Sequence, residues 1–79
     1  MQPDLPVRRY VGLKQSTEAV TDGLVKKAYI ALDADEHVRL PFETLCREKG
    51  VPIEFAQTKA RLGKSCGINV PAAVAVELI

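Results

Sequence analysis

The chain has 79 residues, which corresponds to one small domain. Apolar residues make up 47% and charged residues 27%, a balance that is typical of a folded domain and not of a disordered chain. Lysine and arginine number 11 against 10 aspartates and glutamates, so the formal net charge is only +1. Any attraction to nucleic acid or to a membrane must therefore come from local clustering of charge. The short length also argues against a multi-domain enzyme with a deep, self-contained cleft.

The few metal-ligating side chains argue against a metal centre. Two cysteines, Cys46 and Cys66, and one histidine, His37, are too few for a usual zinc site, and we expect no metal or cofactor. The count alone leaves a disulfide open, but both cysteines lie in apolar helical patterns, which favours reduced and packed thiols. The first residues lack an apolar signal-peptide region, and the longest uncharged run, residues 65–76, is too short to span a bilayer. We therefore expect a soluble, cytoplasmic domain.

The first half of the chain alternates between predicted strands and helices. Residues 1–9 contain two prolines, which predicts a short lead-in segment without a long helix. A short strand at residues 10–11 precedes a helix over 14–22, and Gly23 suits the left-handed position just after that helix. Alternating apolar and polar side chains then predict a strand over 26–32.

A second helix is predicted after the acidic cluster at residues 33–36, because acidic side chains suit the first turn of a helix. The apolar residues in this region recur with the period of a helix and form one face, which contains Val38, Phe42, Leu45 and Cys46. Pro41 interrupts this face, so we expect a break near Leu40 and a new helix with Pro41 in its first turn. Gly50 ends this helical region.

The C-terminal part predicts a strand over 53–56, a helix over 59–66 capped by Thr58, a loop over 68–71 and a final strand over 72–78. The last strand is almost entirely apolar, which predicts that it is covered on both faces. The alternation of strands and helices predicts an α/β fold, a three-layer α-β-α sandwich around a small, mostly four-stranded mixed sheet. Residues 10–79 form its single domain.

Three features raise the question of catalysis, and each has a plainer structural explanation. The segment 63–65, Gly-Lys-Ser, resembles the end of a phosphate-binding P-loop, but Thr58 occupies the position of the required first glycine and the segment is predicted to be helical. His37 beside acidic residues is better explained as an exposed histidine at a helix start than as a general base, because no motif places a nucleophile with it. Cys66 is better explained as a packed thiol than as a reactive one. We therefore expect a protein that is not an enzyme.

Basic residues suggest a binding function. Residues 55–76 contain Lys59, Arg61 and Lys64 and no acidic residue, and a second basic group comprises Lys14 and the pair at 26–27. The usual explanation is a solvated helix face. The alternative is that two helix starts meet at one end of the sandwich and bind phosphates with their free backbone N–H groups.

Two short segments suit the recognition of nucleotide bases. Lys14 can donate hydrogen bonds to a guanine edge, and Gln15 can both donate and accept. Gly12 allows close approach of an RNA chain. The loop 68–71 exposes apolar groups that can contact unstacked bases, whereas the scarcity of aromatic residues argues against a base-stacking platform.

Four segments, residues 12–17, 33–35, 40–49 and 62–70, carry a resemblance to a known family. The most specific of them reads Leu-Gly-Lys-Ser-Cys-Gly-Ile-Asn-Val. Over residues 10–79 the chain resembles the ribosomal protein L7Ae family, in the same superfamily as L30e, and the Lys-Gln pair is similar to its bacterial stand-alone members. The resemblance implies binding of kink-turn RNA, a duplex sharply bent at a short bulge beside tandem sheared G·A pairs.

The resemblance also implies roles for individual residues. Gly12, Lys14 and Gln15 match positions that read the G·A pairs, and Asp35 matches an acidic residue that holds the extruded bulge nucleotide. Lys59 matches a lysine that contacts the RNA backbone or bulge. The family's apolar loop, which packs on the bulge, corresponds to Ile68, Asn69 and Val70.

Two positions depart from the family pattern. The family commonly has a lysine one helical turn after the paired residues, and this chain has Glu18, which weakens binding or alters the target because an acid faces phosphates. Arg39 stands where relatives commonly have an apolar residue and restores some positive charge. The leading hypothesis is a kink-turn RNA-binding protein of the ribosome or another ribonucleoprotein, with no DNA or membrane partner. The alternative is a ribosome-docking or protein-docking module of the same fold with weak or lost RNA specificity.

Overall fold

The computed structural model describes residues 8–68 and 70–79. Seven elements alternate along the chain: β1 (Arg9–Val11), α1 (Leu13–Thr21), β2 (Val25–Ala31), α2 (Glu36–Glu48), β3 (Ile53–Ala56), α3 (Lys59–Ser65) and β4 (Val74–Leu78). The predicted order of strands and helices is confirmed. The predicted lead-in, residues 1–9, lies mostly outside the described residues, and its boundary with the domain stays a prediction.

The four strands form one mixed sheet in the order β1-β4-β2-β3. Strand β4 is antiparallel to both β1 and β2, whereas β3 is parallel to β2. Val11 pairs with Ala75 and Ile30 pairs with Val74, so β1 and β2 finish where β4 begins. Because β3 also finishes there, α1, α2 and α3 all start at this end of the sheet, which we call the helix-start end.

The sheet has helices on both faces, as the sequence predicts. Ile30 and Val76 belong to a core that also contains buried residues of α1 and α2. Ala31 and Ala75, which alternate with them, pack with Leu62 of α3 in a second core. Residues Val74, Ala75 and Val76 are fully buried, which confirms that β4 is covered on both faces. The three-layer sandwich thus follows from the alternation of side chains along two strands.

The predicted break near Leu40 is wrong, because α2 runs without interruption through Pro41. Proline lacks the N–H that would bond to the carbonyl of His37. Both His37 and Pro41 are exposed, so water can satisfy that carbonyl, while Phe42 and Cys46 hold the next turn in the core. Packing of the apolar face therefore outweighs one lost hydrogen bond.

Both cysteines are free. Cys46 is buried in the first core, and burial, with a smaller contribution from Glu43, raises the pKa of its thiol to about 11. Such a thiol is unreactive at neutral pH. Cys66 is half-buried and follows the last residue of α3. None of the helices in the described residues is long and apolar enough to cross a membrane.

Gly63 lets the loop before β4 lie directly on α3. A Cβ at this position would overlap the carbonyl oxygen of Val70 and would also contact the backbone N of Ala72. Gly63 is buried and helical, so it is needed for space and not for a left-handed conformation. The Gly-Lys-Ser segment is thus part of a packed helix, as predicted, and not a phosphate-binding loop.

We predict that Gly63→Ala lowers the free energy of unfolding by about 1–3 kcal/mol, because the added methyl group must push the loop backbone away from α3. Urea unfolding measures this change. Lys64→Ala, an exposed position on the same helix, serves as the control and should change stability by less than about 0.5 kcal/mol. Equal stability of the two variants would show that the loop moves away at little cost.

Candidate functional site

The helix-start end brings together segments that are far apart in sequence. The backbone N–H of Gly12 donates to the carbonyl of Val74 at 3.0 Å, which joins the start of α1 to the start of β4. Two residues before Val74, the N–H of Ala72 donates to the carbonyl of Lys59 at 3.0 Å, which joins the same segment to α3. The start of α1, the start of α3 and the loop before β4 therefore lie at one end of the molecule.

The first turn of α1 is open to a ligand. Gly12 precedes the helix with φ of 109°, a conformation that favours glycine, and no side chain in the described residues caps this start. The first intrahelical bond runs from the N–H of Ser16 to the carbonyl of Gly12 at 3.1 Å. The N–H groups of Leu13, Lys14 and Gln15 therefore have no acceptor within the helix, and no acidic residue lies in this turn.

The other two helix starts are closed by side chains. Asp35 accepts from the N–H of His37 at 2.7 Å in α2, and Thr58 accepts from the N–H of Arg61 at 3.0 Å in α3. Asp33, from the turn after β2, accepts from the N–H of Lys59 at 2.7 Å. Asp35 thus has a structural role as a cap, in addition to the RNA contact that the family resemblance implies. Of the three helices, α1 alone keeps its first N–H groups available in the described residues.

The lysines of this end form no ion pair with any part of the chain that the structure describes. The ion pairs within residues 8–68 and 70–79 are Lys26–Glu77, Lys27–Glu54 and Arg47–Glu43, and none of them lies at the helix-start end. Lys14 is exposed on the first turn of α1, and Lys59 is half-exposed on the first turn of α3. At the start of α3, the carboxylate of Asp33 already faces the positive end of the helix. At the start of α1, the charge of Lys14 adds to the positive dipole end and destabilises the helix locally. A bound anion would remove this unfavourable interaction.

Exposed apolar side chains lie beside these lysines. Leu13 is 41% exposed, Leu32 is 53% exposed and Val70 is 60% exposed, and all three follow or precede a strand at the helix-start end. Ile68 is half-buried and packs against the second core, so Val70 and Pro71 are the exposed members among the described residues of the predicted apolar loop. Asn69 lies outside the described residues.

Leu13 and Leu32 are absent from the residues that the sequence indicates as functional. Leu32 continues the alternation of β2 by one residue, and Leu13 continues the buried face of α1 toward its start, so both have the pattern of core positions. They are exposed because each lies just beyond the sheet that would cover it. One sequence feature could have identified Leu32 as exposed: it stands directly beside Asp33, where the chain turns.

Arg61 does not join the other candidate residues. Its side chain lines a groove between α3 and the sheet, together with Arg9 and Tyr29 from β1 and β2. The backbone of Arg61 lies in the first turn of α3, so the groove begins near the helix-start end and leads away from it. The side chain of Arg61 therefore belongs to a second surface.

The two departures from the family pattern lie on α1 and α2. Glu18 is exposed one turn after Lys14 and lines a shallow groove with Gln15 and Asp22. Arg39 is half-buried, and its Nε is buried without a hydrogen-bond partner in the described residues. The side of α1 that carries Gln15 is therefore partly acidic.

The chain matches a known protein family over nearly its whole length. Residues 8–78 match the model of the ribosomal protein L7Ae/L30e/S12e/Gadd45 family. The match spans nearly the whole chain, and the chain belongs to this family. The resemblance seen in the sequence is confirmed.

Curated relatives are similar over most of their length. A protein named RNA-binding protein from Caldanaerobacter subterraneus is 43% identical over 79 residues, covering 100% of this chain and 96% of the relative. Another RNA-binding protein, from Bacillus pumilus, is 41% identical over 69 residues, covering 86% of this chain and 84% of the relative. These names agree with the expectation of a protein that is not an enzyme.

Solved structures share the fold. The 15.5 kDa RNA-binding protein of Giardia lamblia is 32% identical and superimposes with a TM-score of 0.82, covering 90% of this chain. This chain spans only 60% of that protein's length. A protein of unknown function from Bacillus halodurans is 21% identical with a TM-score of 0.81, covering 90% of this chain and 71% of that one. The predicted fold, α/β with a four-stranded mixed sheet, is confirmed.

We predict that Asp33→Ala lowers the free energy of unfolding by about 0.5–2 kcal/mol, because the N–H of Lys59 loses its acceptor. Asp33→Asn keeps an acceptor oxygen and should recover most of the loss. Chemical unfolding of the three proteins measures the difference. If Asp33→Asn and Asp33→Ala are equally destabilised, the charge of Asp33 and not its hydrogen bond contributes to stability.

Proposed function

We propose that this protein is a non-enzymatic RNA-binding protein that recognises and stabilises kink-turn RNA within the ribosome or another ribonucleoprotein. The observation that carries the proposal is the open first turn of α1, where Lys14 stands beside unpaired N–H groups. Family membership and the names of the relatives support RNA as the ligand. A cytoplasmic location belongs to the same proposal.

The exposed groups of the helix-start end match the chemistry of a bent RNA. The free N–H groups of α1 suit phosphate oxygens, and Lys14 and Gln15 suit base edges in a major groove that the bend has opened. Val70, with Leu13 and Leu32 nearby, offers apolar surface to a nucleotide that has left the stack. Regular A-form RNA has a deep, narrow major groove that side chains cannot read, so this surface favours the kinked form.

The remaining candidate residues take the roles that the resemblance implies. Lys59 contacts the RNA backbone or the bulge, and Asp35 holds the extruded nucleotide with the oxygen that does not cap α2. Ile68, Asn69 and Val70 form the loop that packs on the bulge. By binding the kinked conformer more tightly than the extended one, the protein shifts the RNA toward the kink without any chemical step.

A second candidate function is docking to the ribosome or to a protein with weak or lost RNA specificity. Glu18 favours this alternative, since its carboxylate would face the phosphates of an RNA held by Lys14. The two functions differ in their dependence on salt. Binding through phosphates weakens steeply as salt is raised, whereas an apolar protein contact does not.

We predict that the protein binds a kink-turn duplex more tightly than the same duplex with its G·A pairs replaced by Watson–Crick pairs. Lys14→Ala should weaken binding to the kink-turn by about 1–3 kcal/mol, because it removes a base-edge contact. Titration at fixed salt measures both effects. Lys49→Ala, an exposed lysine just after the end of α2, is the matched control and should retain affinity.

Equal affinity for the two duplexes would rule out specific recognition of the kink-turn. Equal affinity of the Lys14→Ala and Lys49→Ala variants would instead remove Lys14 from the site. Binding to neither RNA, together with retention on ribosomes at high salt, would favour the docking function.

We also predict that Glu18→Gln strengthens binding to kink-turn RNA and that Glu18→Lys strengthens it further, because each step removes repulsion from phosphates. The gain should be largest at low salt, where charges are least screened. Asp22→Asn, one turn further from the helix start, is the control and should have a smaller effect. Unchanged affinity for Glu18→Lys would place the RNA away from this face of α1.

A further inference from the structure

A groove between α3 and the sheet lies outside the helix-start end in the described residues. Its volume is about 520 Å³, and its lining includes Arg9, Tyr29, Arg61, Ser65 and Cys66. It exists because α3 has only seven residues and covers only part of the sheet face on which it lies. We call it the Arg9–Arg61 groove.

The guanidinium of Arg9 is held in place before any ligand binds. One of its terminal nitrogens donates to the carbonyl of Ser65, at the end of α3, at 2.9 Å. Its central carbon lies 5.7 Å from the centre of the Tyr29 ring, within the range of a cation–π interaction. The guanidinium has five N–H donors, so several remain for a ligand. A group that is already ordered loses little conformational entropy on binding.

The carboxylate of Glu54 lines this groove, and it and the nearby carboxylate of Glu77 are already paired. Glu54 forms an ion pair with Lys27. Glu77 accepts a hydrogen bond from the hydroxyl of Tyr29 at 3.0 Å, and its other oxygen lies 3.8 Å from the amine of Lys26. Partial burial, together with the bond to Glu77, raises the pKa of Tyr29, so its hydroxyl stays protonated as a donor.

Neither Arg9 nor Arg61 forms an ion pair within residues 8–68 and 70–79. Among these described residues, the groove therefore presents two guanidinium groups whose charge no carboxylate neutralises. Guanidinium binds phosphate oxygens with paired, parallel hydrogen bonds, and this geometry suits a phosphodiester group.

We propose that the Arg9–Arg61 groove binds the phosphodiester backbone of an RNA strand that extends beyond the kink-turn held at the helix-start end. This inference rests on the proposed function. Arg61 lies in the first turn of α3, whose start is part of the helix-start end, and Ser65 with Arg9 lies at the other end of the same helix. Arg61 and Ser65 are four helical residues apart, about 6 Å along the axis, so a strand of one or two nucleotides would pass from one arginine to the other.

An RNA strand fits this groove better than an acidic protein segment does. The groove starts at the proposed RNA site, and residues 55–76 along α3 contain three basic residues and no acidic one. A strand leaving the kink-turn along this groove would therefore meet Arg61 first and then Arg9. Contacts with phosphates and not with bases predict that the extension is bound without sequence preference.

The test compares a blunt kink-turn duplex with the same duplex carrying a short single-stranded uridine extension at either its 5′ or its 3′ end. With the wild-type protein, we expect one of the two extensions to tighten binding about three- to tenfold at low salt. Arg61→Ala should abolish most of this gain and reduce the slope of log affinity against log salt by about 0.7 for each phosphate that the variant no longer binds. Arg61 is exposed and its side chain makes no hydrogen bond in the described residues, so this variant should fold.

Two further variants sharpen the comparison. Arg9→Ala should reduce the same gain, and its thermal unfolding shows whether removal of the hydrogen bond to Ser65 has affected the fold. Arg47→Ala, an exposed arginine on α2 outside the groove, is the matched control and should keep the full gain. The measured quantity is the ratio of Kd values for blunt and extended RNA in each protein.

A gain that all three variants retain would overturn the proposal, as would the absence of a gain from either extension in the wild type. A glutamate-rich peptide that binds the wild type but not Arg61→Ala, with no gain from extended RNA, would assign the groove to an acidic protein segment and reject RNA. If no kink-turn RNA binds at all, the proposed function fails, and a free uridine oligonucleotide still tests the groove. Binding of that oligonucleotide that Arg61→Ala weakens supports the groove, and equal binding by both proteins rejects it.

Discussion

The arrangement of the helix-start end depends on the backbone of one residue, Lys59. Its N–H donates to the carboxylate of Asp33, which follows β2, and its carbonyl accepts from Ala72, which precedes β4. These two bonds connect α3 to both central strands of the sheet at the level where all three helices begin. Val74, two residues after Ala72, then holds Gly12 and thereby the start of α1. A short path of hydrogen bonds thus fixes every segment of the candidate site on the sheet.

The contrast between capped and uncapped helix starts is the basis on which we propose the helix-start end as the functional surface. A side-chain cap typically contributes about 1 kcal/mol, and α2 and α3 both have one. α1 lacks it and carries a lysine where an acidic residue would stabilise the helix. A helix start that lacks a stabilising cap or an acidic residue is commonly part of a functional site, because a bound ligand can supply the missing hydrogen-bond acceptor and negative charge. Arg9 and Arg61 are a similar case, because in the described residues neither forms an ion pair although the neighbouring carboxylates of Glu54 and Glu77 do.

The sequence predicts the fold well because residue types that begin and end helices occur at the boundaries of the elements. Glycines close the helices near residues 23, 50 and 67, and Thr58 caps α3 as its side-chain type suggests. The prediction of a helix break at Pro41 is wrong. One missing hydrogen bond has only a local cost, whereas the apolar face that keeps α2 continuous is buried by other elements. Tertiary packing of this kind is not encoded in a window of a few residues.

The candidate site is less predictable than the fold, because it depends on which segments meet in space. Lys14, Lys59 and Val70 can be selected from charge and composition, and the structure places them at one end. Arg61 belongs to the same basic stretch, yet its side chain lines a different surface. Leu13 and Leu32 look like core residues in any periodic pattern, and only the boundary of the sheet makes them exposed. Sequence thus indicates which residue types are available, whereas topology decides which of them share a surface.

Under the proposed function, Glu18 limits binding to RNAs whose favourable contacts outweigh its repulsion. Its carboxylate repels the phosphates of any RNA that approaches the start of α1, whether kinked or regular. Only a kinked RNA opens its major groove to the base-edge contacts of Lys14 and Gln15, which regular A-form RNA does not allow. A repulsion common to both RNAs leaves the ratio of their affinities unchanged, but it lowers the affinity for regular RNA, which has no compensating base-edge contacts, to a level at which little of it is bound. The near-neutral charge of the whole chain limits non-specific attraction of RNA, so binding depends on local groups such as those of the helix-start end and the Arg9–Arg61 groove.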